Sequence, residues 1–599
     1  MRASGRDRPA VVAGALVDSG ERPLRGRMVI GTQATPVPVM GEGLPPSRRW
    51  LALGVLCVTV LMVNLDNTVL NVALPTLVRV LHASSIQLQW IVDCYIIVYA
   101  GLVLAAGSLA DRIGRKRTFL AGLAVFAAGS AWAAFSGSAG ILIAARAGMG
   151  IGGALMMPST LSIVTDTFRD AGERQRAIAL WAGAGAAGGA LGPIVGGLLL
   201  SRFWWGSVFL INVPVAAIGV ACAISLIPDS KKAAALRPDL AGAALSVAGL
   251  GLLLWAIIEA PQLGWSSGLV SGASLGAVAI LGVFVAWEGT SSHPMLRLEF
   301  FARRRFTVAI LSTGLVNFGL YGALFLVTQF LQFDLAYTPL QAGLRILPAA
   351  GAVVIVSPWA AIVVRLAGTK LTVAAGLFIV AGGLWADSSL SVASDYGDIV
   401  PGMILLGVGA GLAIPAAIES VMGSLPPGDT GVGSATNGTF MQAGGALGVA
   451  VIGSLLATRY QGRMTAALAP YRVPHAIHAT ILGSIGGALD VAARLGGTLG
   501  TPLAHAARSA FLSGADLGLR TAAVMALAGS LIALAALPAS PHRREQPACL
   551  REPARSEPPL ASLAQAIDEL RSSRVRQHKP SGAKPDHPRG MQPDLKRDR

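Results

Sequence analysis

The sequence predicts an all-α polytopic membrane protein with fourteen transmembrane helices, arranged as two six-helix bundles plus an inserted helix pair. Three observations carry this prediction. First, the 599 residues are 53% hydrophobic and only 13% charged, with 73 glycines, a composition foreign to soluble domains. Second, apolar runs of about 20 residues, the length that crosses a hydrocarbon core of about 30 Å, recur between Trp50 and Pro538. Third, short segments repeat at an offset of eight spans.

The runs begin near Trp50, Leu88, Thr118, Ile141, Ala177, Val208, Ala241, Ser271, Thr307, Ile346, Leu371, Ile399, Met441 and Thr521. Within span 5, "AGGALGPIVGG" (Ala187 to Gly197) shares its first six residues with "AGGALGVAVIG" (Ala443 to Gly453) in span 13. "DRIGRK" after span 2 has an echo in "RLAGTK" after span 10, and "GMGIGGALMMP" in span 4 has one in "GVGAGLAIP" in span 12. An even offset preserves direction through the membrane, so the halves are parallel repeats, and two bundles rocking about a central cavity are a carrier's design. Residues 1–49 read as a disordered leader, with Met28 and Met40 as alternative starts. Residues 50–228 form the first bundle, 229–306 the inserted spans 7 and 8 with their linkers, and 307–540 the second bundle with a long outer loop at about 459–520. Residues 541–599 read as a disordered basic tail, in which "SLAQAIDELRSSR" could form a short amphipathic helix.

Lys and Arg concentrate in the tails and alternate loops, "DRIGRKR", "RDAGERQR", "PDSKKAAALRPD" and "ARRRF". The net charge of +16 therefore reads as orientation rather than nucleic-acid binding, with both termini cytoplasmic and the chain multi-pass in the cytoplasmic (inner) membrane. The four cysteines have no paired spacing, and all eight histidines fall in loops or the tail. Proton work inside the membrane thus falls to carboxylates. No nucleotide-binding loop, metal cluster or nucleophile elbow is present, so the expected cofactor is none, the energy source is an ion gradient, and an enzyme is excluded.

Three charges inside spans are expected at one level in the outer half of the membrane. Counting about 1.5 Å per residue places Asp66 about 24 Å along from Trp50, with Arg146 of span 4 and Asp93 of span 2 at a similar depth. Intramembrane charges pair or face a cavity, so Arg146 is expected between the two carboxylates. One guanidinium cannot fully neutralise both, which leaves a candidate proton carrier; the alternative is a permanent structural ion pair. After span 2, Gly107, Asp111, Arg112, Gly114, Arg115 and Lys116 in "GSLADRIGRKR" are expected to latch the two halves on the cytoplasmic side, the alternative being a bare orientation anchor. In span 5, Gly188, Gly192, Pro193, Gly196 and Gly197 should kink the helix and let a neighbour approach closely. Candidate cavity residues are Asn71, Trp90, Tyr95, Phe318, Tyr321, Phe325, Asp334, Glu419 and Asn437, whose aromatic faces and carboxylates suit a lipophilic cation; core packing is the alternative for the aromatics.

With these residues in view, "GSLADRIGRKR" resembles the loop signature of the major facilitator superfamily, and Gly188 to Gly197 resembles its antiporter motif. "LDNTVLNVALP", "QWIVDCY", "MMPSTLSIVTDTF", "SVFLINVP" and "LQAGLRILP" are similar to the 14-span drug:proton antiporters, the multidrug and quaternary-ammonium exporter type. The resemblance implies the major facilitator fold, a proton-coupling role for Asp66 and Arg146, and a gating role for Asp111, Arg112, Gly114 and Arg115. It has departures: Met149 stands where the family usually has Gln, and Gly438 and Met441 replace an Asp and an Arg. The expected function is proton-coupled multidrug efflux of amphipathic, cationic or aromatic compounds, a route to antibiotic resistance. Expected partners are lipophilic small molecules, protons and the bilayer, with a monomeric chain and no nucleic acid. The alternatives are export of an endogenous metabolite or antibiotic, import or facilitated passage by the same machine, and a transporter-like sensor that moves nothing.

Overall fold

The computed structural model describes residues 46–228, 238–292, 294–426 and 430–538. Most of the leader, the tail and the "SLAQAIDELRSSR" segment lie outside the described residues. Every regular element among the described residues is helical, as a membrane interior demands: with no water to bond, backbone groups must be satisfied within the segment. The helices are α1 (Pro46–Leu81), α2 (Ser85–Ile113), α3 (Arg115–Ala134), α4 (Ala139–Thr167), α5 (Ala171–Arg202), α6 (Ser207–Leu210), α7 (Asn212–Leu226), α8 (Leu240–Leu263) and α9 (Gly268–Thr290). They continue with α10 (Arg304–Gln329), α11 (Pro339–Arg345), α12 (Leu347–Ser388), α13 (Tyr396–Gly423), α14 (Thr430–Leu468), α15 (His475–Gly483), α16 (Ile485–Leu495) and α17 (Gly497–Ala536).

Short polar caps set where the chain turns. Ser84 with Gln87, Thr338 with Gln341 and Asp395 with Asp398 form capping boxes, and Ser138, Asp170 and Asp239 each accept a hydrogen bond from a first-turn amide, satisfying donors that the helix leaves open.

Thirteen helical stretches are long and apolar enough to cross a membrane, against fourteen expected. The difference lies in Pro339–Ser388, at 50 residues far longer than one crossing needs. Inside it Gly368 has φ 83° and ψ 159°, a conformation open essentially to glycine alone, so α12 is two helices joined at a sharp bend. The long outer loop also differs from expectation. α14 continues to Leu468, and α15 and α16 follow, held where the Tyr460 hydroxyl donates to the carbonyls of Ile481 (2.9 Å) and Ser484 (3.2 Å). α16 is amphipathic, burying Ile485, Ala488 and Ala492.

Packing partners recur between the two ends of the chain. α1 packs on α5 and α7, and α3 on α4 and α7; correspondingly α10 packs on α14 and α17, and α12 on α13 and α17. α8 packs on α2, α9 and α14. The described bonds and close contacts joining α1, α2 and α5 to α10–α17 gather at the end holding Val72, Gln89 and Pro193. There the Gln332 amide donates to the Val72 carbonyl (2.9 Å), the Ser454 hydroxyl donates to Gln89 Oε1 (3.3 Å), and Gly343 abuts the Pro193 carbonyl. Substituting Gly368 with Ala should lower stability by about 1–3 kcal/mol, read as a lower melting temperature of the purified protein in detergent; an unchanged melt would mean that the bend is not strained for other residues.

Candidate functional site

Asp66 on α1 is 2% exposed and Arg146 on α4 is 1% exposed. Depth counting puts them at one level, and the structure joins them: Arg146 Nη1 donates to Asp66 Oδ2 at 2.6 Å. Arg146 Nε donates to the Ile91 carbonyl of α2 at 3.1 Å, and the guanidinium lies 4.4 Å from the centroid of the Tyr95 ring. The second carboxylate oxygen is taken as well. Asn212, the first residue of α7, donates through Nδ2 to Asp66 Oδ1 at 2.9 Å and to Ser130 Oγ of α3 at 3.3 Å. Both charges are thus compensated by partners from α1, α2, α4 and α7, which is what lets them be buried. Asn212 and Ser130 were missed in the sequence; the available signal was a lone amide in the apolar run "FLINVP".

Asp93 does not share Arg146, contrary to expectation. It is 0% exposed, and neither of its oxygens has a hydrogen-bond partner. It lies one helical turn from Gln89, whose side chain rests on Gly453 of α14, so it occupies the α2 face turned toward α14. Ile91 and Tyr95 occupy the face toward α4, the latter against Gly150 and Gly153.

The glycines of span 5 are packing positions on both sides of the molecule. An added Cβ on Gly188, Gly192 or Gly196 would crowd α1 at Leu61, at Leu65 and Thr68, and at Val69, the stretch that carries Asp66. Gly197 and the carbonyl of Pro193 instead meet α11, at Leu340 and Gly343.

The loop after α2 turns at Gly114, φ 113°. Arg115, 4% exposed, donates to Asp111 Oδ1 (3.0 and 2.9 Å) and to the Ser162 carbonyl (3.1 Å), and pairs with Asp166 of α4. Lys116 donates to the Ile224 carbonyl of α7 at 2.8 Å. Arg112 is exposed, and Gly107 approaches Pro158. The bonds of Arg115 and Lys116 therefore tie α2, α3, α4 and α7 together rather than spanning the two halves as expected. Asp166 was not singled out in the sequence, although it sits in the quoted "TDTF".

The candidate cavity residues are dispersed. Phe318 and Phe325 are 4% and 1% exposed core residues, whereas half-buried Tyr321 lies over Gly445. Asn71 bonds back to the Asn67 carbonyl of its own helix (3.3 Å), and Trp90 donates to Glu259 Oε1 of α8 (3.0 Å). Asn437 accepts from Thr313 Oγ1 (2.9 Å) and donates to the Met441 sulfur (3.3 Å). A side chain at Gly438 would meet open space. Asp334 ends the turn at 330–334 with Oδ2 unpartnered, and Glu419 is exposed near the end of α13. A cavity of about 470 Å³, lined by Arg79, Gln332, Phe333, Asp490 and Arg508, lies instead between α1, that turn, α16 and α17. Among the described residues no group of three or more His, Cys, Asp or Glu could hold a metal ion.

The two buried acids make distinct predictions. Asp66→Asn leaves Arg146 without its counter-ion and should cost roughly 3–5 kcal/mol, whereas Asp93→Asn, a neutral isostere in a site with no partner, should leave the melting temperature nearly unchanged. Equal destabilisation by the two would contradict this assignment.

Comparisons with known proteins agree with this architecture. The Major Facilitator Superfamily family model matches residues 56–449, more than half of the chain. The multidrug efflux pump LfrA of Mycolicibacterium smegmatis is 37% identical over 504 residues, covering 82% of this chain and 98% of that protein. The tetracenomycin C resistance and export protein of Streptomyces glaucescens is 32% identical, covering 83% and 93%, and the methyl viologen resistance protein SmvA of Salmonella typhimurium is 32% identical, covering 80% and 96%. Among solved structures, a bacterial homolog of the human lysosomal transporter spinster, in an inward-facing and unoccupied conformation, superposes with a TM-score of 0.57 at 17% identity, covering 83% of this chain and 100% of that one. The chain therefore belongs to the Major Facilitator Superfamily, and is a multi-pass membrane transporter rather than an enzyme.

Proposed function

We propose that this protein is a proton-coupled antiporter that exports amphipathic, cationic or aromatic compounds across the cytoplasmic membrane by alternating access. The observation that carries the reading is the pair of buried acids in one bundle: Asp66, bonded through both oxygens, and Asp93, with no partner on either. A bare carboxylate in hydrocarbon costs several kcal/mol, and a proton removes that cost. The proton is therefore assigned to Asp93, while Asp66 holds Arg146 in place. A cation competes with that proton by supplying the missing charge, which is the elementary requirement of exchange.

The remaining features take their places in this reading. Two six-helix bundles, α1–α7 and α10–α17 with α12 counted as two spans, rock against each other, and α8 and α9 are the inserted pair. The contacts at Val72, Pro193 and Gln332 close the outer end of this conformer, and both termini are cytoplasmic, as the Lys and Arg bias indicates. Asp111, Arg115 and Lys116 brace the cytoplasmic end of the first bundle. One chain supplies both walls of the cavity, so a monomer suffices, and the proton gradient replaces any cofactor. Drug export is favoured by the likeness to LfrA, named a multidrug efflux pump. The likeness to the tetracenomycin C resistance and export protein supports a second reading, export of an antibiotic made by the same cell.

Transport of a fluorescent lipophilic cation into everted vesicles under an imposed pH gradient tests the assignment. Wild type should accumulate the dye, and Asp93→Asn should lose gradient-driven accumulation while still binding it. Undiminished gradient-driven transport by Asp93→Asn would remove the proton from Asp93; transport of no dye by wild type would favour the endogenous antibiotic.

A further inference from the structure

A further buried acid without partners lies in the other half of the molecule. Asp387, the penultimate residue of α12, is 2% exposed, and neither carboxylate oxygen has a hydrogen-bond partner. Its carboxylate presses on Gly402 of α13, where an added Cβ would overlap it. It opens into a cavity of about 20 Å³ that Asp516 of α17 also lines, a space sufficient for one water. Asp516 is paired with Arg520 and its side chain is 34% exposed, so the cavity runs from a sealed acid to one in touch with solvent.

The lining decides what can bind. α10 contributes Leu326 and Val327, the turn after it contributes Phe330, α13 contributes Ile399, and α17 contributes Phe511, Leu512, Ala515 and Leu519 besides Asp516. Ser388, the remaining polar neighbour, donates its hydroxyl to the Trp385 carbonyl at 2.7 Å. The charged groups nearby are Asp516 and Arg520 on α17, the latter 5.5 Å over the Trp385 ring, and the exposed capping pair Asp395 and Asp398 at the start of α13. A hard metal cation seeks about six oxygen ligands, which this hydrocarbon-lined space does not offer. A proton needs one.

We propose that Asp387 is a second proton-binding site, in the bundle opposite Asp93, that exchanges its proton with the outer solution through Asp516. The step balances simply: a hydronium ion arriving at Asp516 gives its proton to an Asp387 oxygen, water is left, and the carboxylate becomes a carboxyl; release reverses it. With one unpartnered acid in each bundle, a cycle carries one proton more than Asp93 alone would provide. This role in the cycle rests on the antiport reading; the site itself does not.

Two measurements separate those levels. A hydrophobic carbodiimide, which adds to protonated carboxyls, is applied to the purified full chain from mildly acidic to mildly alkaline pH, and the adducts are mapped by peptide mass spectrometry. Asp387 should be modified, the adduct should fall as pH rises, sodium chloride should not protect it, and Asp387→Asn should lack it. Absence of the adduct, an adduct indifferent to pH, or protection by sodium at fixed pH would each overturn the proposal. In proteoliposomes, protons counted per exported dye should fall by one in Asp387→Asn, and an unchanged ratio would overturn the second site. A wild type that labels as expected but moves no dye would count against the drug-export reading and leave the proton site standing.

Discussion

The rest of the first bundle depends on one constraint: a carboxylate and a guanidinium buried in hydrocarbon must find all their partners within the protein. Asp66 and Arg146 meet it with a bond at 2.6 Å, the Asn212 amide on the other oxygen and the Ile91 carbonyl behind the guanidinium. Removing one partner of such a pair leaves an unpaired charge costing several kcal/mol. The helices that supply these groups, α1, α2, α4 and α7, are therefore bound to one another more tightly than apolar packing in lipid would achieve, since lipid tails compete with Leu on equal terms. Arg115 and Lys116 of α3 repeat the arrangement at the opposite end of α2, α4 and α7. Polar cross-links at two levels make this bundle one body.

Where a rigid body meets its neighbour, small residues allow movement. Gly192 and Gly196 bring α5 against α1 inside the bundle, whereas Gly197 and Pro193 of the same helix meet Leu340 and Gly343 of α11 across it. α5 therefore has a fixed side and a sliding side. Among the described residues the side-chain cross-links at the seam are few: Gln332 to a backbone carbonyl, Ser454 to Gln89 and to the Ile257 carbonyl, and Trp265 to Thr458. Single neutral hydrogen bonds contribute about 1 kcal/mol each, an order at which substrate or proton binding can break them.

Depth along a helix is legible in sequence and direction around it is much less so. Counting residues brought Asp66 and Arg146 to one level correctly, because a rise per residue is nearly constant. The same count put Asp93 beside them, but two residues from Ile91 is more than half a turn, and that turns Asp93 toward α14. Phe318 and Phe325 have helical spacing whether they face a cavity or a core, and here they face the core. Asn212 needed the third dimension, since its role comes from where α7 begins. Asp387 was passed over because it stands at the end of a span, where carboxylates are ordinarily solvated. Gly368 is one of many glycines, and only the backbone angle distinguishes it.

The division of labour between the two acids follows from where they stand relative to the seam. A bound proton can drive a conformational change only if it is held differently in the two states. The bonds of Asp66 run to α4 and α7, both within one body, so its surroundings are preserved in the proposed rocking of the two bodies. Asp93 faces α14 on the line where the bodies touch, next to the Gln89 and Gly453 contact. Opening that line admits water or a cation to a carboxyl that closure seals in hydrocarbon. In the proposed cycle the buried ion pair, for all its charge, is scaffold, and the acid without partners is the one that senses the transition.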